Sequence, residues 1–420
     1  MAEYEAYKDS CTSWMGMVPS HWKIERAKWH FTMRNERGNE IPVLLAATQK
    51  YGMYPQNMIE GVVKVADGTD VQQFRTVHKG DFVISLRSFQ GGFERSDYEG
   101  VCSPAYQVFF ADESWDNDYL KYLFKNELFI DAMNALTVGI REGRNIKYED
   151  FANSTLAIPP LNEQRTIAAY LARETDRIDA IVAEAKASID EYKAWKTALV
   201  NDAVTHGING DAPCKDSNIY WVGNMPEHWE TKRLKYMFAI KKDIAGEAGH
   251  TILAITQQGV KPKNMADKGQ FAADYSNYQL VRAGDFAMNH MDLLTGWVDI
   301  SAHDGVTSPD YRVFYALSPN EICKDYYKHV FQNCYRCRIF YGLGHGVSGF
   351  GRWRLPADMF LNFVLPVPPM EEQQKIAEHL NTQCAQIDSL IAEKEALIAD
   401  LEAYKKSLIF EIVTGKRKVV

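Results

Sequence analysis

Two kinds of hydrophobic pattern alternate along this chain. Over roughly the first 160 residues, apolar positions come in short alternating runs broken by Gly, Pro and Asn, as in Asp81-Phe82-Val83-Ile84-Ser85-Leu86 and Tyr106-Gln107-Val108-Phe109-Phe110. Such runs predict short strands joined by turns, with one short helix from about Asp118 to Ala135. From Asn162 to about Thr205 no Gly or Pro intervenes, and apolar residues recur through Leu171, Ile178, Val182, Ala185, Ile189, Tyr192 and Leu199. The same pattern returns from Glu371 to about Thr414 through Leu380, Ile387, Ile391, Ile398, Leu401, Leu408 and Ile412. Steps of three and four that sum to seven make a coiled-coil seam, and Ile181, Leu390, Leu397 and Tyr404 widen it. Pro159-Pro160 and the acids Glu163, Glu371 and Glu372 mark helix starts, with Asn162 a candidate N-cap; Gly207 and Gly415 mark the ends. About 45 residues at ~1.5 Å each give rods of roughly 65 Å. Two matched seams predict that the rods pair with each other, antiparallel if a globular unit sits at each end.

The pattern repeats because the chain is written twice. Lys8-Asp9-Ser10, Trp14, Gly16, Pro19, His21-Trp22, Arg26 and Lys28 return as Lys215-Asp216-Ser217, Trp221, Gly223, Pro226, His228-Trp229, Arg233 and Lys235, at a shift of 207. Pro55-Gln56-Asn57-Met58 answers to Pro262-Lys263-Asn264-Met265, and Gly80-Asp81-Phe82 to Gly284-Asp285-Phe286. The stretch from Gly100 to Phe109 answers to that from Gly305 to Phe314, and Pro159-Pro160-Leu161-Asn162-Glu163-Gln164 to Pro368-Pro369-Met370-Glu371-Glu372-Gln373. The shift drifts only between 204 and 209, which a tandem duplication explains and chance does not. The fold class expected is α+β: two pseudo-symmetric globular units, 1–158 and 207–367, joined by two long helices, 159–206 and 368–420, pairing as an antiparallel coiled coil.

Composition narrows the function classes. With 420 residues, 46% apolar and 24% charged, the chain supports a large core. No apolar run approaches the ~20 residues of a membrane span. The opening residues lack a secretory pattern, and seven irregularly spaced cysteines suit a reducing cytosol, so a cytoplasmic location is expected. The net charge of −8 argues at first against nucleic acid, but its distribution does not. Residues 1–160 carry −5, the first rod −2, 207–369 +1, the second rod −5, and Lys416-Arg417-Lys418 +3.

Enzyme motifs are missing. There is no Walker loop, no Gly-x-Gly-x-x-Gly after a strand, no H-E-x-x-H and no N-P-P-Y-type methyltransferase motif. The glycines 342, 344, 346, 349 and 351 sit among aromatics and arginines, as a loop does. Cys334 and Cys337 form a lone C-x-x-C and read as a packed thiol pair on a helix. Glu184-Ala185-Lys186, a fragment of a nuclease pattern, lies on a rod and reads as a solvated ion pair, while His21-Trp22 reads as a packed turn after Pro19. Basic and amide residues do gather near glycines. In the first half these are Gln49, Lys50, Arg87, Ser88, Gln90, Arg141, Arg144 and Asn145; in the second, Gln257, Gln258, His290, Asp292, His345, Arg352 and Arg354. Such side chains supply the donors and acceptors that read base edges and phosphates, and they are the candidate DNA contacts.

At the paired blocks the chain resembles a known family. Trp14-x-Gly16 with Pro19-x-His21-Trp22, and Pro-Pro-x-x-Glu-Gln opening a long helix, each present twice, resemble the DNA-specificity subunit of type I restriction–modification systems. The resemblance implies a non-catalytic subunit with two target-recognition domains, each reading one half of an asymmetric bipartite site on double-stranded DNA. It implies helices that fix the spacer and dock two methyltransferase subunits, which restriction subunits then join. The chain itself would bind no cofactor or metal; S-adenosylmethionine, ATP and magnesium would belong to the partners. Where the halves match, framework is expected: Gly80-Asp81-Phe82, Ser103-Pro104 and Tyr106. Where they differ, readout is expected: 87–90 against 290–293, and 139–145 against 346–354. The alternatives are a coiled-coil adaptor holding two protein-binding modules, and a single-chain DNA-modifying enzyme.

Overall fold

The computed structural model describes residues 3–38, 43–60, 71–86, 91–136, 146–263, 275–346 and 353–419. They form two compact units, Met1–Ala185 with Glu395–Val420, and Lys186–Lys394. Each unit therefore holds one globular copy, the start of its own rod and the end of the other.

In the first unit a four-stranded antiparallel sheet runs in the order Phe31–Arg34, Gln107–Ala111, Phe82–Ile84, Glu94–Arg95. Four two-stranded antiparallel pairs surround it. Tyr7–Asp9 pairs with Met17–Pro19, Lys23–Arg26 with Thr155–Ile158, Leu45–Thr48 with Gly52–Pro55, and Arg75–Val77 with Gly100–Cys102. The second unit repeats all five, its main sheet running Phe238–Lys241, Arg312–Ala316, Phe286–Met288, Val298–Ile300. The mixed helix and strand content is that of an α+β protein. The short helix expected from Asp118 to Ala135 is two helices, Asn117–Leu123 and Glu127–Leu136. Asn126 divides them, since its side-chain oxygen accepts from the backbone N–H of Leu128 (3.0 Å) and Phe129 (3.3 Å) and so starts a new helix. In the second unit a single helix, Lys324–Arg336, follows the corresponding strand.

Phenylalanines fill both cores. Phe82 stacks on Phe109 at 5.8 Å between ring centres, and their counterparts Phe286 and Phe314 stack at 5.0 Å. The shared Gly-Asp-Phe block turns into this core. Asp81 receives Arg34 Nε (2.7 Å) and the His78 N–H (2.9 Å); Asp285 receives Lys241 Nζ and the Arg282 N–H, both at 2.9 Å.

The rods are the continuous helices Leu161–His206 and Met370–Val413, ending at Gly207 (φ 80°) and Gly415 (φ 69°), left-handed positions that glycine adopts without strain. Helix begins at Leu161, so Asn162 lies inside the first turn and does not cap it. Within the first unit, Glu163 of one rod and Gly415 after the other both reach Trp22, whereas Asp179 pairs with Lys405 at 2.6 Å. The two stretches therefore run in opposite directions. In the second unit Gly207 and Glu372 meet at Trp229 and Lys196 pairs with Asp388 at 2.6 Å, again antiparallel. The seam residues Leu171, Ile178, Val182, Ala185, Ile189, Leu380, Ile387, Leu408 and Ile412 are buried; Tyr192, Leu199, Ile391, Ile398 and Leu401 are partly covered. The residues that widen the seam, Ile181, Leu390, Leu397 and Tyr404, remain exposed, as does Trp195.

Candidate nucleic-acid interface

The Pro-Pro-x-x-Glu-Gln block joins each globular copy to its rod. The fully buried Gln164 donates from Nε2 to the carbonyls of Ser114 and Pro159 (both 2.9 Å) and accepts the Asp116 N–H (2.8 Å). Gln373 repeats this with Glu321 (3.2 Å), Pro368 (2.9 Å) and the Cys323 N–H (2.9 Å). Glu163 holds His21 (2.8 Å) and the Trp22 indole N–H (3.1 Å), and Glu372 holds His228 (2.7 Å). Trp22 is buried in a turn closed by its N–H on the Pro19 carbonyl (3.0 Å), the packed turn expected from the sequence. These residues fix each globular copy to its rod.

The candidate contacts fall into two groups. Gln49-Lys50 and Gln257-Gln258 are exposed and occupy the same hairpin turn in the two copies, between Leu45–Thr48 and Gly52–Pro55, and between Leu253–Thr256 and Gly259–Pro262. Lys50 lies over the Tyr51 ring (4.9 Å), and Gln258 accepts from Lys261 (3.4 Å). The second group gathers in the second unit. His290 and Asp292 follow the strand Phe286–Met288, and the backbones of His345 and Arg354 bond each other in both directions (2.9 and 3.1 Å). The Leu355 N–H donates to the His290 carbonyl (3.0 Å) and the Leu293 N–H to the Trp353 carbonyl (3.2 Å), so segments distant in sequence form one surface. His345 and Arg354 are exposed on it. Arg87, Ser88, Gln90, Arg141, Arg144, Asn145 and Arg352 lie outside the described residues.

Three details differ from the sequence reading. Asp292 is a turn former: its carboxylate accepts the N–H groups of Leu294 (2.9 Å) and Thr295 (3.0 Å) and the Thr295 hydroxyl. Burial raises its pKa, but these bonds outweigh burial and hold the carboxyl below its usual range. The glycines nearby serve internal packing. A Cβ at Gly296 would stand 2.0 Å from the Asp292 carbonyl oxygen, and one at Gly344 would stand 2.4 Å from Trp353 Nε1. Cys334 is buried on its helix, but Cys337 lies past the helix end and is exposed, so the two thiols are not a packed pair.

One residue of this surface went unread in the sequence. Arg312, 5% exposed, reaches the Leu355 carbonyl through Nη2 (3.0 Å) and lies over the Phe360 ring (4.7 Å). It stands where the first copy has Gln107, whose Oε1 accepts the Tyr148 N–H (2.7 Å). The available signal was that one changed residue in an otherwise matching Tyr-x-Val-Phe block. Among the described residues no group of His, Cys, Asp and Glu could hold a metal ion, and no helix is long and apolar enough to cross a membrane.

Comparison with known proteins agrees with this architecture. Residues 23–191 match the model of the type I restriction modification DNA specificity domain. The chain is 26% identical over 322 residues to the type I restriction enzyme MjaVIII specificity subunit of Methanocaldococcus jannaschii, covering 72% of this chain and 71% of that one. Its fold resembles a chain solved in work on complex assembly and conformational transition of the type I R-M system, with TM-score 0.68, 14% identity, and coverage of 94% of this chain and 98% of that one. It also resembles the HsdS subunit from Thermoanaerobacter tengcongensis, with TM-score 0.53, 13% identity, and coverage of 95% and 98%. The domain match over residues 23–191 and the relative named for specificity thus make the chain similar to the specificity subunits of type I restriction–modification systems.

Proposed function

We propose that this chain is the non-catalytic specificity subunit of a type I restriction–modification complex, each globular copy reading one half of an asymmetric bipartite site on double-stranded DNA. The rods pair as an antiparallel coiled coil that sets the unread spacer and docks two methyltransferase subunits, which restriction subunits then join. S-adenosylmethionine, ATP and magnesium belong to those partners, and the complex works in the cytoplasm. One observation carries the reading: the two copies share the same five sheets and the same rod attachment, yet place different polar side chains on corresponding loops. A common scaffold with differing loop chemistry suits two readers of different sequences.

Mapping methylated bases in DNA from cells with and without this chain tests the proposal. The expected result is a gapped motif with two unlike halves; a palindromic motif without a gap would refute it. An adaptor of protein modules would instead leave the complex without salt-dependent affinity for DNA.

A further inference from the structure

Beneath the surface built by 290–293 and 353–355 lies a positive charge with no obvious reason to be there. Arg312 is almost wholly buried, and among the described residues its Nη1 has no hydrogen-bond partner and no carboxylate pairs with it. The sequence from 346 to 352 contains no acidic residue. Burial lowers the Arg312 pKa to about 10, so the guanidinium stays charged at neutral pH. Stacking on Phe360 and one carbonyl bond compensate only part of the cost of burying an ion. Beside it His290 also has an unpartnered Nδ1, and burial together with Arg312 and Arg354 pushes its pKa down to about 3, which keeps the ring neutral. In the first copy Gln107 stands in place of Arg312 and, counted from the shared Gly-Asp-Phe blocks at a shift of 204, Leu86 in place of His290.

We propose that Arg312 is a positioning residue for DNA reading by the second unit: it ties the Leu355 segment against the His290 loop and lends an uncompensated positive charge to the surface where an acceptor of the DNA arrives. The inference rests on the specificity-subunit reading above and deepens it. The acceptor is a base edge such as guanine O6 or N7, or a phosphate oxygen; both are electron-rich and both favour a nearby guanidinium. A residue placed for stability would be paired. One left unpaired in both copies would be framework. Arg312 is unpaired and confined to the copy in which the adjoining loop also differs.

The test compares R312Q with the parent chain, each in its methyltransferase complex. R312Q installs the neutral residue that the first copy carries on the corresponding strand. Removing an unpaired buried charge should leave the melting temperature unchanged or higher, while affinity for the target falls about tenfold to a hundredfold. Methylated-base mapping then separates the two sources: a relaxed second half-site indicates a base edge. A uniform loss, with the salt slope reduced by about one, indicates a phosphate. The first half-site should be unchanged in either case. If R312Q keeps the motif, the affinity and the salt slope, the proposal is overturned, whatever happens to stability. Should R312Q fail to fold, H290Q carries the same test, and an unchanged motif and affinity overturns it. Failure of the parent complex to bind any gapped site would count against the specificity-subunit reading itself.

Discussion

Gln164→Ala should loosen the first unit at the point where its globular copy grips its rod. The substitution removes three hydrogen bonds, to the Ser114 and Pro159 carbonyls and from the Asp116 N–H, at a fully buried site. At about 1 kcal/mol net for each bond the loss is roughly 3 kcal/mol, and backbone groups left dry and unpaired raise it toward ~5 kcal/mol. Gln164→Glu separates the roles of the two ends of the amide. A carboxylate can still accept from Asp116 but points a negative oxygen at two carbonyls, so at neutral pH it should be at least as damaging as alanine. Protonation restores one donor, and the glutamate variant should recover relative to alanine as pH falls toward 4. Denaturant unfolding followed by tryptophan fluorescence reads both, with Trp115 buried beside Ser114 and Asp116 as a local reporter. Gln373→Ala should cost a similar amount, since its three bonds are the same in kind. A loss below ~1 kcal/mol for Gln164→Ala would show that water satisfies these groups and that the Gln is not the clasp.

Stability should also fall in mild acid. Burial holds His329 down to about 4 and His290 down to about 3, so the folded rings resist a proton that the unfolded chain accepts near 6.5. Stability is therefore full above pH 6.5 and lost as pH drops toward 4, by up to about 1.4 kcal/mol per pH unit for each ring. His329→Gln, which keeps a donor for Asn381 (2.9 Å in the parent), should flatten the unfolding midpoint between pH 6 and 4.5, and an unchanged slope would refute this assignment. Ile189→Asp, at a buried seam position, should abolish co-purification with the methyltransferase without altering either half-site; a changed half-site would mean the rods take part in reading. Inserting about four residues, one helical turn, between Ile178 and Leu199 should lengthen the spacer in the methylated motif and leave its halves intact.

Different parts of this molecule were legible in the sequence to different depths, for physical reasons. The rods were readable because a seam of period seven over some 45 residues has few other solutions, and their ends were marked by Pro159-Pro160 and Gly207. The seam itself was legible, Val182 being buried as its place in the repeat implies, but Ile181, read as widening the apolar face, stays exposed. The break at Asn126 was signalled by an Asn followed by an acid, and it was overridden by the apolar periodicity on either side. The Glu-Gln pair was visible as a repeated motif, but its work was not, because Gln164 bonds backbone groups some fifty residues away that carry no side-chain signature. At the candidate interface, residue chemistry pointed to His290, His345 and Arg354, which the fold brings together, while Arg312 was hidden inside a Tyr-x-Val-Phe block that otherwise matched its counterpart.

The duplication itself separates what must be kept from what can drift. Asp179 and Asp388 correspond at a shift of 209, as do Lys196 and Lys405, so the pairs Asp179–Lys405 in one unit and Asp388–Lys196 in the other are the same contact made twice. Exposed pairs of this kind contribute about 0–1 kcal/mol, too little to explain their retention as stability. Their value is in register, since sliding one helix by a turn along the other would set Asp against the wrong residue and move the apolar seam with it. Where the task is charge alone the copies have diverged, with Arg34 against Asp81 in one and Lys241 against Asp285 in the other. Trp229 has even lost the indole hydrogen bond that Trp22 makes to Glu163, although both rings remain buried. Shape and register thus persist where hydrogen-bond detail does not. A strand position that departs from the framework while burying an ion, as Arg312 does, falls outside both kinds of drift, and the role in DNA reading proposed for it would account for that departure.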